Sequence, residues 1–134
     1  MSNNVKLRFL HVCENAFFAD DKKLNIIGIF EKILASKFPA MHPIFAITLG
    51  LTGKEGVHKI FIEILTPEPD NKTLIEFERE LVIKEDGGNA NYVIRVVGLV
   101  FPKKGKYQIK VKTSRGLIDQ NQDNYIILGK EDGE

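Results

Sequence analysis

The fold of this chain is decided by residues 106–114, which have the sequence KYQIKVKTS. Apolar or β-branched side chains alternate there with polar ones. The first set is Tyr107, Ile109, Val111 and Thr113, and the second is Lys106, Gln108, Lys110 and Lys112. Because successive side chains of a strand point to opposite faces, this period of two predicts a β-strand with one buried face and one solvated face.

Similar patterns recur on both sides of this segment. Strands are predicted at residues 5–13, 24–30, 44–52, 57–66, 73–84, 92–101, 106–114 and 126–128. The 73–84 segment also has the spacing of a helical stripe, but a strand is preferred because its neighbours are strands and the turn sequence Asp86-Gly87-Gly88 follows it. Residues 31–36 fit either a strand end or one helical turn. The two prolines within 36–43 predict an extended crossing.

The turn sequences predict two antiparallel hairpins. Residues 92–101 and 106–114 flank Pro102-Lys103-Lys104-Gly105, and residues 44–52 and 57–66 flank the Gly-bounded loop 53–56. The 92–101 segment is apolar on both faces except at Arg95. This predicts a central strand covered on both sides, with Gly98 as a candidate bulge.

The composition favours a single all-β domain. The chain of 134 residues contains 16 Ile and 9 Val but only 6 Ala, and β-branched side chains pack well in sheets. About eight short strands with regularly spaced turns predict a two-sheet antiparallel β-sandwich over residues 1–134, immunoglobulin-like or jelly-roll-like. A closed barrel is the alternative. The polar tail 130–134 is expected to fray.

Charge and hydropathy exclude several classes of protein. Lys and Arg number 19 against 18 Asp and Glu, and hydrophobic residues make up 43% of the chain. A disordered chain and a membrane span are therefore excluded, and no overall positive field points to nucleic acid. Lys6 and Arg8 interrupt the apolar residues at the N-terminus, so no signal peptide is predicted. With Cys13 as the single cysteine, a cytoplasmic location is expected.

Several strings resemble a family of small bacterial β-sandwich proteins of unknown function. They are His11-Val12-Cys13-Glu14-Asn15-Ala16, Asn25-Ile26-Ile27-Gly28-Ile29-Phe30, Phe38-Pro39-Ala40 and Gly98-Leu99-Val100-Phe101-Pro102. The string 101–107, FPKKGKY, is also similar to the late hairpin of many immunoglobulin-like sandwiches. The resemblance implies a β-sandwich in a bacterial cytoplasm. It implies no activity and no functional residue.

No catalytic, cofactor-binding or metal-binding motif is present in the sequence, so no catalytic residue, cofactor or metal is predicted. His11 and Cys13 share a strand face and suit a soft divalent metal, but a lone buried Cys acts more often as a small hydrophobe. Six loop aspartates suit either calcium or turn formation: Asp20, Asp21, Asp70, Asp86, Asp119 and Asp123. An enzyme whose site is built from distant strands stays open as a further alternative.

The clearest charge pattern is a basic run without acidic residues between positions 102 and 118. It comprises Lys103, Lys104, Lys106, Lys110, Lys112 and Arg115. Alternation places three of these lysines in a ridge, and Glu76, Glu78 and Glu80 form an acidic ridge on the 73–84 strand. If the two strands share a sheet, the ridges form a solvated surface of paired charges. Otherwise they suit a head-to-tail protein contact or a polyanion.

These observations predict a non-catalytic protein-interaction or scaffolding module that binds a protein or a second copy of itself. The alternative is a nucleic-acid or other polyanion-binding module that uses the basic 103–115 strand, although nucleic acid is the less favoured partner. Sugar is not expected, since Trp is absent, and neither is a membrane. Phe17, Phe18, Phe38 and Met41 lie in predicted loops, where apolar side chains either plug the ends of the sandwich or form a contact patch.

Overall fold

The computed structural model describes residues 4–118 and 123–131. Ten strands form within these residues: β1 (Val5–Phe18), β2 (Leu24–Ile29), β3 (Lys32–Ala35), β4 (Ala40–Gly53), β5 (Gly56–Leu65), β6 (Thr73–Ile83), β7 (Gly88–Phe101), β8 (Gly105–Thr113), β9 (Gly116–Leu117) and β10 (Asn124–Lys130). Within the same ranges no helix is long and apolar enough to cross a membrane.

The strands form two sheets that pack face to face. The first has the order β2-β1-β4-β7, and the second has the order β3-β10-β8-β5-β6 with β9 beside β8. All neighbouring strands are antiparallel except β3 and β10, which are parallel. The predicted all-β, two-sheet sandwich is confirmed, with ten strands instead of about eight.

Both predicted hairpins are wrong. β4 and β7 belong to the first sheet, whereas β5 and β8 belong to the second, so the loops at 53–56 and 102–105 cross between sheets. Either loop is short enough for a hairpin, but also long enough to span the roughly 10 Å between packed sheets. The 53–56 crossing is held by backbone hydrogen bonds from Lys54 N to the Asn4 carbonyl and from Gly87 N to the Gly53 carbonyl.

The strand bounds settle or correct four other expectations. Residues 73–84 are a strand, as predicted, and 31–36 contain the edge strand β3. The extended crossing is shorter than expected, because β4 already begins at Ala40. Lys130 was predicted to belong to the polar tail, but it forms the last pair of the β3–β10 ladder with Ala35. Glu131 N also donates to the Ala35 carbonyl. The rest of the predicted tail, 132–134, lies outside the described residues.

The core lies between the inner faces of the two sheets. Alternate residues of β4 and β5 belong to it and are fully buried, notably Ile47 and Leu49 of β4 and Ile60 and Ile62 of β5. A series of aromatic contacts runs through one end of this core, joining Phe30, His42, Phe45, Phe101 and Tyr107, with successive ring centroids 5.0–6.4 Å apart. Sheet alternation in the sequence is therefore sufficient to place most of the core.

Tyr107 holds the crossing between β7 and β8. Its ring is fully buried and packs edge-on against Phe101 at 5.0 Å. Its hydroxyl donates to the Lys103 carbonyl at 2.5 Å and accepts from Lys103 N at 3.1 Å. One side chain thus fixes both the apolar packing at this end of the sandwich and the backbone of the turn. Burial also raises the pKa of Tyr107 above the ordinary value of 10.0.

Tyr107→Phe is expected to lower the free energy of unfolding at pH 7 by about 1–2 kcal/mol, because the turn amide loses its partner. The wild type should in addition lose stability as the pH rises above 10, since the unfolded chain ionises before the folded one. That alkaline loss should be smaller in the variant. Urea unfolding across pH 7–11 measures both effects. Tyr125→Phe is the control, and equal stability of the two variants would contradict the role given to Tyr107.

Candidate functional site

A groove opens where the first sheet divides. β1 and β4 pair from Val5↔Gly53 to Cys13↔Ala46, although both strands continue beyond that point. β1 goes on with β2 alone, and the first part of β4 pairs with β7 alone. The two ladders diverge and leave an open groove of about 620 Å³ between them.

The walls of the groove are partly apolar and partly polar, with Glu14 and Lys32 among the residues that line it. Ile29 of β2, Leu34 of β3 and Ile44 of β4 line it, and each is at least half exposed. Phe30 and His42 also line it, with their rings packed against each other and against the buried Phe45. Since large exposed apolar side chains are costly in water, their presence together makes the groove a candidate contact site.

A second group of exposed apolar residues adjoins the groove on β4 and β7. Ile44 lies directly opposite Val97, and Met41 lies directly opposite Val100. Val97 is 73% exposed and Met41 is 59% exposed. Leu34 and Met41 line a further hollow beside the groove, which connects the two groups. The six residues Ile29, Leu34, Met41, Ile44, Val97 and Val100 are called the apolar patch below.

Gly98 is the point in β7 after which the alternation changes, so that Val100 as well as Val97 points outward. Val96 and Leu99 both point into the core although two residues separate them, so the alternation of β7 breaks at Val97 and Gly98. Gly98 has a left-handed φ of 66°. The register with β4 is the same on either side of it, so the predicted bulge is instead a change of face without an inserted residue.

β7 is an edge strand, which corrects the prediction of a central one. The sequence prediction assumed that a strand with apolar residues on both faces is covered by other elements on both faces. In the structure one face covers the core and the other carries the exposed Val97 and Val100. The apolar outer face of 92–101 was therefore a signal of exposed apolar surface and not of a covering layer.

The structure separates the four apolar residues that were predicted as plugs or contacts. Met41 belongs to the apolar patch. Phe38 is half-buried and packs against the core, as a plug would. Phe17 and Phe18 are not in loops, since they end β1 and pair with Asn25 and Leu24 of β2. They are 38% and 49% exposed and do not line the groove.

The basic run lies on the outer face of the second sheet and is largely paired with acids. Lys112 Nζ is 3.5 Å from Glu63 Oε1 and 3.6 Å from Glu76 Oε2, which it reaches across β5. The acidic and basic ridges thus share a sheet, with β5 between them. Lys110 lies opposite Glu63 on the neighbouring strand. Opposite charges therefore alternate over much of the outer face of this sheet, while the exposed Val57 and Val82 lie opposite each other at one end of it.

The turn lysines are also close to acids. Lys103 Nζ is 2.8 Å from Asp70 Oδ2, and this hydrogen bond and charge hold the pKa of Asp70 below its usual value. Lys106 Nζ is 3.5 Å from Asp123 Oδ1 and 4.3 Å from the centre of the Tyr125 ring. Lys104 and Arg115 are exposed at opposite ends of β8. The basic run therefore presents much less net charge than its sequence suggests.

The metal hypotheses gain no support from the geometry. Among residues 4–118 and 123–131, no three His, Cys, Asp or Glu side chains come together as ligands for an ion. Cys13 is fully buried, and its Sγ lies 3.5 Å from Thr48 Oγ1 and 3.7 Å from the Ala46 carbonyl. The aspartates lie apart: Asp86 accepts the Glu55 amide, Asp70 and Asp123 pair with lysines, and Asp119 lies outside the described residues.

Gly98→Ala is expected to lower the free energy of unfolding by about 1–2 kcal/mol, because a left-handed φ strains an L-residue with a Cβ. No atom lies within 4 Å of where that Cβ would be, so backbone strain is the only source of the loss. Gly98→Asn should lose less, since Asn tolerates this conformation. Urea unfolding measures both variants, and an Ala variant as stable as the Asn variant would show that the left-handed geometry is not required.

The protein is expected to pass through heparin at about 0.15 M salt, because acids on the same surface neutralise its lysines. Glu63→Gln combined with Glu76→Gln frees Lys112 and should delay elution. The salt concentration at elution is the measurement. Strong retention of the wild type that Lys110→Glu with Lys112→Glu abolishes would instead identify a polyanion site.

Comparison with known proteins names no activity. The structure is similar to the crystal structure of an immunoglobulin-like protein from Pseudomonas aeruginosa, with 20% sequence identity and a TM-score of 0.45 over 95% of this chain and 98% of that one. No curated protein matches the sequence. A model of a family of unknown function, DUF6941, matches residues 8–120. The expected relation to an uncharacterised β-sandwich family is confirmed, and the chain belongs to DUF6941.

Proposed function

We propose that this protein is a non-catalytic interaction module of the bacterial cytoplasm that binds a protein through the apolar patch. The observation that carries the proposal is a group of six large apolar side chains, each 47–73% exposed. Five lie at one end of the first sheet, and Leu34 lies on β3, the edge strand of the second sheet beside the groove. Isolated exposed apolar residues are common on soluble proteins, whereas contiguous groups of this size mark contact surfaces.

The area of the apolar patch is sufficient to support association. Six side chains of this size, each about half exposed, present apolar surface on the order of 600 Å². Burial at about 25 cal/mol per Å² would contribute roughly 15 kcal/mol. The loss of translational and rotational freedom on association costs about 4–15 kcal/mol. The two quantities are comparable, so the patch can hold a partner without further contacts only when nearly all of it is covered.

The charges of the second sheet also favour the apolar patch as the contact surface. Its outer face is charged, but Lys59, Lys112, Glu63, Glu76 and Glu78 already pair within it. Exposed pairs of this kind contribute at most about 1 kcal/mol each and leave little net field to attract a polyanion. A protein partner that covers apolar surface therefore fits the molecule better than a polyanion does.

Val97→Glu tests the proposal because Val97 is the most exposed residue of the patch and its replacement should leave the fold intact. Val57→Glu is the matched control, since Val57 is 64% exposed on β5 of the other sheet. Tagged wild type and Val57→Glu should retain a stoichiometric protein from a nuclease-treated lysate of the native host, and Val97→Glu should lose it. Proteins are identified by mass spectrometry.

Two results would contradict the proposal. Retention of the same protein by Val97→Glu would place the contact elsewhere. Co-purified nucleic acid, with all proteins lost on nuclease treatment, would favour the polyanion alternative.

A further inference from the structure

We infer that the apolar patch docks against the same patch of a second copy of this chain, around a two-fold axis. This inference rests on the proposed function and names the partner. In a two-fold contact each patch faces its own equivalent, so the surface must be complementary to itself. An apolar surface satisfies that condition without any pattern of charges, because it contains no charged group that needs a partner of opposite charge on the other copy.

The lack of charged residues in the apolar patch favours a second copy of this chain as the partner. None of its six residues is charged. The nearest arginine on the same face, Arg95, is directed away from it, since its guanidinium crosses β4 and donates to the Ala16 carbonyl of β1 at 2.7 Å. The chain carries a net charge of only +1, so two copies repel each other weakly.

The shape of the patch allows two sheets to approach closely. Between the pairs Ile44↔Val97 and Met41↔Val100, the register places Pro43 opposite Gly98. Both are exposed, and neither carries a long side chain. No atom lies within 4 Å of the position that a Cβ of Gly98 would occupy, so this point on the surface is open. The centre of the β4–β7 part of the patch is therefore free of polar or bulky groups.

The area matches what a dimer needs. Each partner in a stable complex contributes about 800 Å², of which a little more than half is apolar. The apolar patch supplies on the order of 600 Å² per copy, and the groove walls and exposed backbone around it supply the remainder. Because the same residues count twice in a two-fold contact, one substitution in the chain alters the interface at two places.

The test is the oligomeric state of the purified full chain, measured by sedimentation equilibrium between about 1 and 100 μM, a range that covers weak and moderate dimers. Wild type and Val57→Glu should both reach twice the 15.2 kDa of one chain. Val97→Glu should weaken dimerisation by about 100-fold or more, because two unpaired carboxylates enter the interface. Met41→Glu, on the neighbouring strand, should weaken dimerisation in the same way. It replaces Val97→Glu as the test of the interface if circular dichroism shows that Val97→Glu is unfolded.

A wild type that stays monomeric at about 100 μM would overturn the inference, and so would a dimer that both patch variants leave intact. These results separate it from the proposed function. If the protein is a monomer and retains a different protein in the capture experiment, and Val97→Glu loses that protein, then the two-fold dimer is wrong but the proposed function stands. A folded patch variant that matches the wild type in both experiments would overturn both.

Discussion

The contact between Tyr107 and Phe101 is the one on which the arrangement of the strands depends. Phe101 ends the last strand of the first sheet, and Tyr107 lies three residues into the next strand, in the second sheet. The rings pack edge-on at an interplanar angle of 81°, and the tyrosine hydroxyl closes the turn by bonding to both polar groups of the Lys103 backbone. An aromatic pair that bridges two layers is incompatible with a hairpin, in which both strands lie in one layer.

The crossing to the second sheet has a consequence for β7. Because the chain leaves the first sheet at Phe101, β8 cannot cover the outer edge of β7, and β7 remains an edge strand. The left-handed Gly98 then changes which side chains face outward. Long apolar edge strands invite unwanted pairing, and a local change of face is one way in which proteins interrupt such an edge. The change of face at Gly98 leaves Val100 exposed as well as Val97, beside Ile44 and Met41 of β4.

The two outer faces of the sandwich differ in character. The face of the second sheet carries lysines and glutamates that pair across β8, β5 and β6. At one end, the face of the first sheet carries apolar residues whose side chains have no neighbouring layer. Charges that are matched within a surface interact weakly with other molecules, whereas uncovered apolar area is stabilised by any complementary surface. Most of the exposed apolar patch therefore lies on the first sheet, whereas the charge pattern of the sequence lies on the second.

The sequence by itself determined the all-β class, the central part of eight strands and the inward face of the amphipathic ones, since alternation is a local property of consecutive side chains. It left β3 open, missed β9 and ended β1 too early. It identified Met41 as a contact candidate, and it placed Lys112 and Glu76 on outward faces. Only the tertiary structure decided which strands pair. A four-residue, Gly-containing loop serves equally well for a hairpin within one sheet and for a crossing between two. That choice made β7 an edge strand, and it left one apolar face of 92–101 in solvent where the sequence predicted cover on both sides.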